Sequence, residues 1–255
     1  MMISGKEVEM KSSKSILKMV VLAMLIAIGV VISPILRVEG MCPMAHFINI
    51  VCSVFMGPWY SLLCAFIIGV IRMAIMGIPP LALTGAIFGA FLSGVFYRLS
   101  KGKLIFAVLG EIIGTGIIGA IVSYPVMSLI WGKDGLSLFF YVPSFICGTL
   151  IGGSIAFFFL RKFADIGMLT KIQDMLGSKV FSDKSTILSN TISIATFGAI
   201  LFFVFFMVPQ VFKVEGEIWG YLAYGSIGLF LVLAVIYFVV KKFKGKNQSE
   251  GRFSD

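Results

Sequence analysis

The chain alternates long apolar blocks with short connections that hold most of its charged residues. Most blocks contain about 20 residues, the length with which an α-helix crosses the roughly 30 Å hydrocarbon core of a bilayer. Prolines lie near the block ends, where the missing N–H costs a helix least. The pattern predicts an all-α polytopic membrane protein with eight helices, over residues 16–34, 45–56, 58–76, 80–98, 103–130, 136–162, 187–208 and 217–240.

The composition agrees with a membrane protein, since 59% of the residues are hydrophobic and only 13% are charged. A soluble domain has about 45–50% apolar and about 25% charged residues. The net charge of +9 does not come from a patch interleaved with aromatic residues, because the basic residues lie between the apolar blocks. We therefore expect the lipid bilayer as a partner, and no nucleic acid.

The basic residues also predict an orientation. If the helices alternate from a cytoplasmic N-terminus, only Arg37, Arg72, Lys133 and Lys213 of the 21 basic residues fall on the outer side. Cytoplasmic loops carry the excess of Lys and Arg in membrane proteins. We predict a multi-pass protein of the cell membrane with both termini in the cytoplasm.

Five segments follow from this topology. A cytoplasmic N-terminus (1–15) precedes a six-helix core (16–163), and an amphipathic cytoplasmic linker (164–186) leads to an extra transmembrane pair (187–240) and a basic tail (241–255). The basic N-terminus and its apolar run are similar to a signal peptide. No A-x-A-like cleavage site follows the run, so we predict a retained first helix.

Residues 114–119 spell G-x-G-x-x-G, the pattern of a dinucleotide-binding turn. That turn needs a strand before it and a helix that starts within it, whereas these glycines lie in the middle of an apolar block. Pairs of glycines four residues apart instead let membrane helices approach closely. The pairs at 85/89, 110/114 and 148/152 predict that helices 4, 5 and 6 pack against one another.

Glu111 is the one acidic residue within the fifth apolar block. An ionisable group deep in a bilayer costs about 2.5–3.5 kcal/mol on insertion scales and usually faces a partner or a cavity. Two interpretations follow: a protonated carboxyl bonded to a neighbouring helix, or a polar group that lines a ligand cavity. For the second interpretation Arg72 is the candidate partner, because a long side chain and helix tilt bridge part of the difference in depth.

Other polar residues cluster toward the predicted outer half. His46 and Asn49 share one helical stripe, Thr115 lies one turn beyond Glu111, and Tyr124 lies near the outer end of its block. A histidine at a membrane edge is either an interfacial anchor or a ligand contact, and the sequence leaves both open.

Several kinds of chemistry are not expected. The four cysteines have no C-x-x-C spacing and the chain has one histidine, so we predict no disulfide, no metal site and no cofactor. An intramembrane enzyme needs convergent catalytic groups, which the sequence does not offer, so we do not predict an enzyme. No nucleotide-binding G-x-x-x-x-G-K-[ST] is present, so transport energy would come from partners or from ion gradients.

Four stretches together resemble a known family: AHFINIVCSVFMGPWYSLLCAFIIGVIR (45–72), GAIFGAFLSGVFYR (85–98), VLGEIIGTGIIGAIVSYPV (108–126) and FFYVPSFICGTLIGG (139–153). They are similar to ThiW-type substrate-binding subunits, the S-components of energy-coupling factor (ECF) vitamin transporters. The resemblance covers residues 16 to 163. It implies a six-helix membrane fold with a substrate pocket near the outer face.

The resemblance also implies partners and a substrate. The partners are a membrane coupling subunit, docked through an A-x-x-x-A face that Ala23 and Ala27 match, and two cytoplasmic ATPase subunits. The substrate is the thiamine precursor hydroxyethylthiazole, with thiamine or its hydroxymethyl-pyrimidine half as alternatives. An intramembrane enzyme and a scaffold without a ligand are the competing classes. The candidate pocket residues are His46, Asn49, Arg72, Glu111, Thr115 and Tyr124.

Two parts of the chain depart from the family pattern. The connection MAIMGIPPLALTG (73–85) has fewer glycines and threonines than expected, and it faces outward where it would border the pocket. The trailing pair at 187–240 lies outside the six-helix core. The first departure leaves the identity of the substrate open.

Overall fold

A computed structural model describes residues 5–35, 37, 41–181, 187–212 and 216–250. The predicted basic positions Lys184, Lys213 and Arg252 lie outside these ranges. The described residues form nine helices: α1 Gly5–Ile32, α2 Pro43–Met56, α3 Pro58–Met76, α4 Leu81–Leu99, α5 Leu104–Ile130, α6 Val142–Asp165, α7 Met168–Met175, α8 Ile187–Phe212 and α9 Ile218–Glu250.

The predicted all-α membrane fold is confirmed for the described residues. Six helices are long and apolar enough to cross a membrane by length and composition, namely α1, α3, α4, α5, α6 and α9. The 14-residue α2 is apolar but shorter. The chain separates into two compact units, residues 1–183 with α1 to α7 and residues 184–255 with α8 and α9.

The short α2 and the long α3 form the tight hairpin that the sequence pattern predicts. Gly57 joins them with φ +93°, a left-handed conformation that glycine adopts without strain. Pro58 then begins α3, where its missing N–H removes no helical bond. At its other end α3 stops at Gly77, which is also left-handed. The chain reverses its direction at each of these two turns, so α2, α3 and α4 lie side by side.

The fifth helix is not a regular α-helix. It is α-helical over Leu104–Glu111, π-helical over Ile112–Gly119, α-helical again over Ala120–Pro125, and π-helical over Val126–Ile130. π-Helical turns are rare and frequently occur at functional sites. Glu111 is thus the last residue before the first widened turn.

Glycines bring α4 and α5 into backbone contact, as the sequence predicts. A Cβ atom added to Gly114 would lie 2.5 Å from Gly89 Cα, and one added to Gly110 would lie 2.5 Å from Leu92 O. At Gly119 the same atom would lie 2.6 Å from Gly85 O. The two helices therefore pack with no side chain between their backbones at these points.

The predicted role of the α6 glycines needs correction. Gly148 and Gly152 do not pack against α4. They face the beginning of α2, where Cβ atoms would approach Met41, Pro43 and His46. The α6 helix instead meets α5 near Gly116, whose Cβ would lie 2.9 Å from Ile146. The glycine pattern correctly predicted that α6 approaches another helix closely at these positions, but it predicted the wrong partner helix.

The amphipathic linker contains α7, which packs at the end of the bundle where α2 and α4 finish. Leu169 and Leu176 are buried in its apolar face. Gln173 is buried too, and its Nε2 donates to Val54 O at 2.9 Å and to Tyr97 Oη at 3.0 Å. The hydrogen bonds to α2 and α4 attach this segment to the core.

The second unit is an antiparallel helix pair. Asn190 Nδ2 of α8 donates to Tyr237 Oη of α9 at 2.9 Å. Farther along α8, Phe197 stacks edge-on against Phe230 with ring centroids 5.1 Å apart. As the residue numbers of these contacts increase along α8, the residue numbers of their partners decrease along α9. The two helices are therefore antiparallel.

Candidate functional site

The first unit contains a cavity of about 320 Å³ at the end of the bundle where α2, α4 and α6 begin. This volume falls at the lower end of the range of small-molecule sites, about 300–1,000 Å³. The wall is apolar except for a few polar groups. The lining residues are Arg37, Met41, Cys42, Ala45, His46, Arg72, Ile78, Pro79, Leu81, Ala82, Gly85, Ala86, Thr115, Met127 and Phe145.

A buried polar cluster lies behind one wall of this cavity and is centred on Glu111, whose side chain is fully enclosed. Its Oε1 atom accepts hydrogen bonds from Asn49 Nδ2 at 3.0 Å and from Thr115 Oγ1 at 3.1 Å. His46 Nδ1 lies 2.9 Å from the same oxygen. An ionised Glu111 accepts from all three, which requires a proton on His46 Nδ1. The carboxylate thereby fixes the orientation of the imidazole at the cavity wall.

Glycines on two helices make room for this cluster. A Cβ atom at Gly89 of α4 would collide with Thr115 Oγ1 and would lie 2.8 Å from Glu111 Cδ. A Cβ atom at Gly152 of α6 would lie 3.0 Å from His46 Cβ. The small-residue pattern that predicted helix packing therefore also serves the polar site.

Arg72 is the second charged feature of the cavity. Its side chain comes from the last turn and a half of α3, it lines the cavity, and the residue is only 3% exposed. Its Nε atom is buried without a hydrogen-bond partner in the described part of the chain. The predicted pairing of Arg72 with Glu111 is wrong, because the Glu111 carboxylate contacts His46, Asn49 and Thr115 instead.

The structure places the other predicted residues as follows. His46, Arg72 and Thr115 line the cavity, while Asn49 and Glu111 lie directly behind its wall. His46 is 5% exposed, so within this unit its side chain is buried.

Two further sets of predicted residues lie away from the cavity. Tyr124 is half-buried on α5 and does not line the cavity. Ala23 and Ala27 are exposed on the outer surface of α1 within this unit.

Several lining residues were not singled out from the sequence. Met41 and Phe145 close the cavity with apolar surface, and Arg37 lies at its exposed margin. The connection between α3 and α4 contributes Ile78, Pro79 and further residues of the segment that departs from the expected family pattern. The charge pattern did indicate this end of the bundle, because two of the four basic residues predicted on the outer side, Arg37 and Arg72, line the cavity.

The arrangement is suited to binding. Among the described residues no group of three or more His, Cys, Asp or Glu side chains lies close enough to hold a metal ion. The cavity offers apolar surface, one oriented imidazole and two guanidinium groups. Sites of this kind enclose a small ligand by apolar contact and orient it with a few polar groups.

Comparison with known proteins identifies one family. The model of the family described as thiamine-precursor transporter protein (ThiW) matches residues 19–166, more than half of the chain. The matched region contains every residue of the cavity and of the Glu111 cluster and ends before α8. No curated protein and no solved structure gave a significant match.

Proposed function

The chain belongs to the ThiW family of thiamine-precursor transporter proteins, and from this membership we propose that its cavity captures hydroxyethylthiazole for uptake across the cell membrane. In this proposal the protein is the substrate-binding subunit of an ECF-type importer. A membrane coupling subunit and two cytoplasmic ATPase subunits supply the energy.

The observation that carries the proposal is the cavity with His46 held at its wall by Glu111. A small thiazole ring needs mainly apolar enclosure, which Met41, Ile78 and Phe145 provide. Because His46 Nδ1 faces the carboxylate, a neutral imidazole keeps Nε2 as an acceptor for a ligand hydroxyl. The chemistry of the wall therefore suits a small ring with one hydroxyl group.

The predicted orientation gives the cavity a direction. With both termini in the cytoplasm, the end of the bundle where α2, α4 and α6 begin faces outward, and the cavity lies at that end. The opposite end then carries α7 and faces the cytoplasm, where the ATPase subunits act. This topology supports capture from outside followed by release inward.

The binding proposal predicts that the purified full-length protein in detergent binds hydroxyethylthiazole in a calorimetric titration. His46→Ala should weaken this binding by about 10- to 100-fold, because it removes a wall of the cavity and a polar contact worth roughly 1.5–3 kcal/mol. Tyr124→Phe is the control and should change the affinity less than about twofold, since Tyr124 does not line the cavity. Thermal unfolding of each variant establishes that it is folded.

The same titration distinguishes the alternatives. Binding of thiamine or of the hydroxymethyl-pyrimidine in place of the thiazole would keep the transport function but replace the substrate. If a folded protein bound none of the three, the proposed substrate class would be contradicted.

The coupling proposal is supported by the surface of α1. Ala23 and Ala27 are exposed and lie four residues apart, so they share one face of the helix. Their neighbours Val20 and Met24 are also exposed, at 50% and 57%. Small residues on an exposed helix face allow a second membrane helix to approach closely.

Enlarging this face tests the coupling. In the double variant Ala23→Leu with Ala27→Leu, we expect co-purification with the coupling subunit and cellular uptake to be lost, because two bulky side chains separate the helices. Ligand binding in detergent should remain. Ala74→Leu makes the same change at an exposed position of α3 and should leave uptake intact. Equal uptake by the double variant and the wild type would exclude this face as the docking surface.

A further inference from the structure

We propose that Arg72, in a cavity that Arg37 also lines, forms an anion subsite, so that the favoured ligand is a thiazole precursor bearing a phosphate or carboxylate group. This inference rests on the proposed function and refines its substrate class. It predicts that an anionic derivative binds more tightly than the neutral alcohol.

The first support is the state of Arg72 itself. Its side chain is almost fully buried and its Nε atom has no partner in the described ranges. Buried charges in proteins are normally paired, because removal from water is costly. Within membrane-spanning segments such residues usually face a partner or a pathway for a substrate or ion. A guanidinium that lines a cavity and makes no ion pair in the described chain therefore indicates a ligand that supplies the counter-charge.

The second support is the distribution of charge around the cavity. Arg37 also lines it, so two basic residues border the same cavity. Among the described residues, no acidic residue lines it. The nearest buried acid, Glu111, already has His46 at 2.9 Å and accepts from two further donors. Glu111 therefore contacts the cluster behind the wall through Oε1 and does not line the cavity, and its Oε2 atom is buried without a hydrogen-bond partner among the described residues. The described lining residues thus carry a net positive charge.

The third support is geometry and surroundings. An arginine offers parallel N–H donors that match the oxygens of a phosphate or carboxylate. The lining of the same cavity also includes the apolar residues Ile78, Pro79 and Ala82. Apolar surroundings strengthen a charge-assisted hydrogen bond by lowering the local dielectric constant. The ring and the anion would therefore occupy different parts of the same cavity.

The test compares three ligands that share one ring: hydroxyethylthiazole, its phosphate monoester, and the thiazole with an acetate group in place of the hydroxyethyl group. Each is titrated into the full-length protein in detergent, in a low-salt buffer that contains little chloride and no carboxylate or phosphate. We expect at least one anionic ligand to bind roughly tenfold or more tighter than the alcohol. Tighter binding of the ester assigns a phosphate subsite, and tighter binding of the acetate assigns a carboxylate subsite.

The same titrations in variants assign the effect to Arg72. Arg72→Gln should weaken binding of the preferred anion by about 100-fold, so that the preference for the anion over the alcohol is lost. Arg72→Lys keeps the charge and should retain part of the preference. Arg161→Gln, which makes the same change in a side chain paired with Asp165 away from the cavity, should have no effect. Thermal unfolding shows whether each variant is folded.

The outcomes separate this inference from the proposed function. If the alcohol binds and neither anion binds more tightly, or if Arg72→Gln weakens all three equally, the inference is overturned and the proposed function stands. If none of the three binds to folded protein, both are overturned.

Discussion

Gly114→Ala is expected to destabilise the protein by at least about 3 kcal/mol, which corresponds to a fall in Tm of roughly 10 °C for a chain of this size. The added Cβ would lie 2.5 Å from Gly89 Cα, 2.6 Å from Phe88 O and 2.7 Å from Gly89 N. These are all backbone atoms, so no side chain can rotate away to make room. The helices α4 and α5 must separate, and thermal unfolding in detergent measures the cost.

A matched control uses a glycine with space around it. Gly225 of α9 has no heavy atom within 4 Å of an added Cβ. Gly225→Ala should leave Tm unchanged or raise it slightly, since alanine favours a helix over glycine by up to about 1 kcal/mol. Equal Tm values for Gly114→Ala and the wild type would contradict the backbone contact between α4 and α5.

Glu111→Ala is expected to produce the largest loss of ligand binding. Removing the carboxylate leaves Asn49 Nδ2, Thr115 Oγ1 and His46 Nδ1 without their shared acceptor. Each buried donor left without an acceptor costs about 1–3 kcal/mol of stability. The imidazole also loses the contact that fixes its orientation. We therefore expect the affinity of the preferred ligand to fall at least roughly 100-fold in calorimetry.

Two variants separate the contribution of the carboxylate from general damage. Glu111→Gln retains the size of the side chain and a carbonyl acceptor, so it should recover most of the stability but leave His46 facing a neutral group. Asp174→Ala removes an acid that is exposed and 3.5 Å from Lys14, and exposed ion pairs contribute at most about 1 kcal/mol. Unchanged binding by Glu111→Ala would show that the cluster has no role in the cavity.

Much of the fold could be predicted because bilayer helices leave a strong signal. Several apolar blocks match the helices to within a few residues, for example Pro58–Met76 for the block at 58–76 and Leu81–Leu99 for that at 80–98. The first and last helices extend well beyond their blocks, to Gly5 and to Glu250. The block at 136–162 was predicted to start too early. Residues 136–141 form an irregular segment and a turn, and the helix begins only at Val142. Hydropathy measures only how apolar a segment is, and a loop at a membrane surface can be as apolar as a helix.

The site was harder to predict because the depth of a residue along a membrane helix does not determine which neighbouring helix its side chain faces. Glu111 was identified as a buried acid from its isolation in an apolar block, yet its partner was predicted as Arg72 and is His46. The π-helical segment Ile112–Gly119 changes the number of residues in each turn, so an α-helical wheel misplaces side chains near it. The approach of α2 to α6 through Gly152 brings His46 inward, and a single sequence does not reveal such a contact.

The room that Gly89 leaves for Glu111 constrains the order in which this site can change in descendants of the protein. An alanine at position 89 would collide with Thr115 Oγ1 and press on the Glu111 carboxyl. A lineage that keeps Thr115 and Glu111 must therefore keep the glycine. Loss of the acid alone does not release it, because the collision with Thr115 Oγ1 remains. Substitution at 89 should follow replacement of Thr115 by a smaller residue and should not precede it.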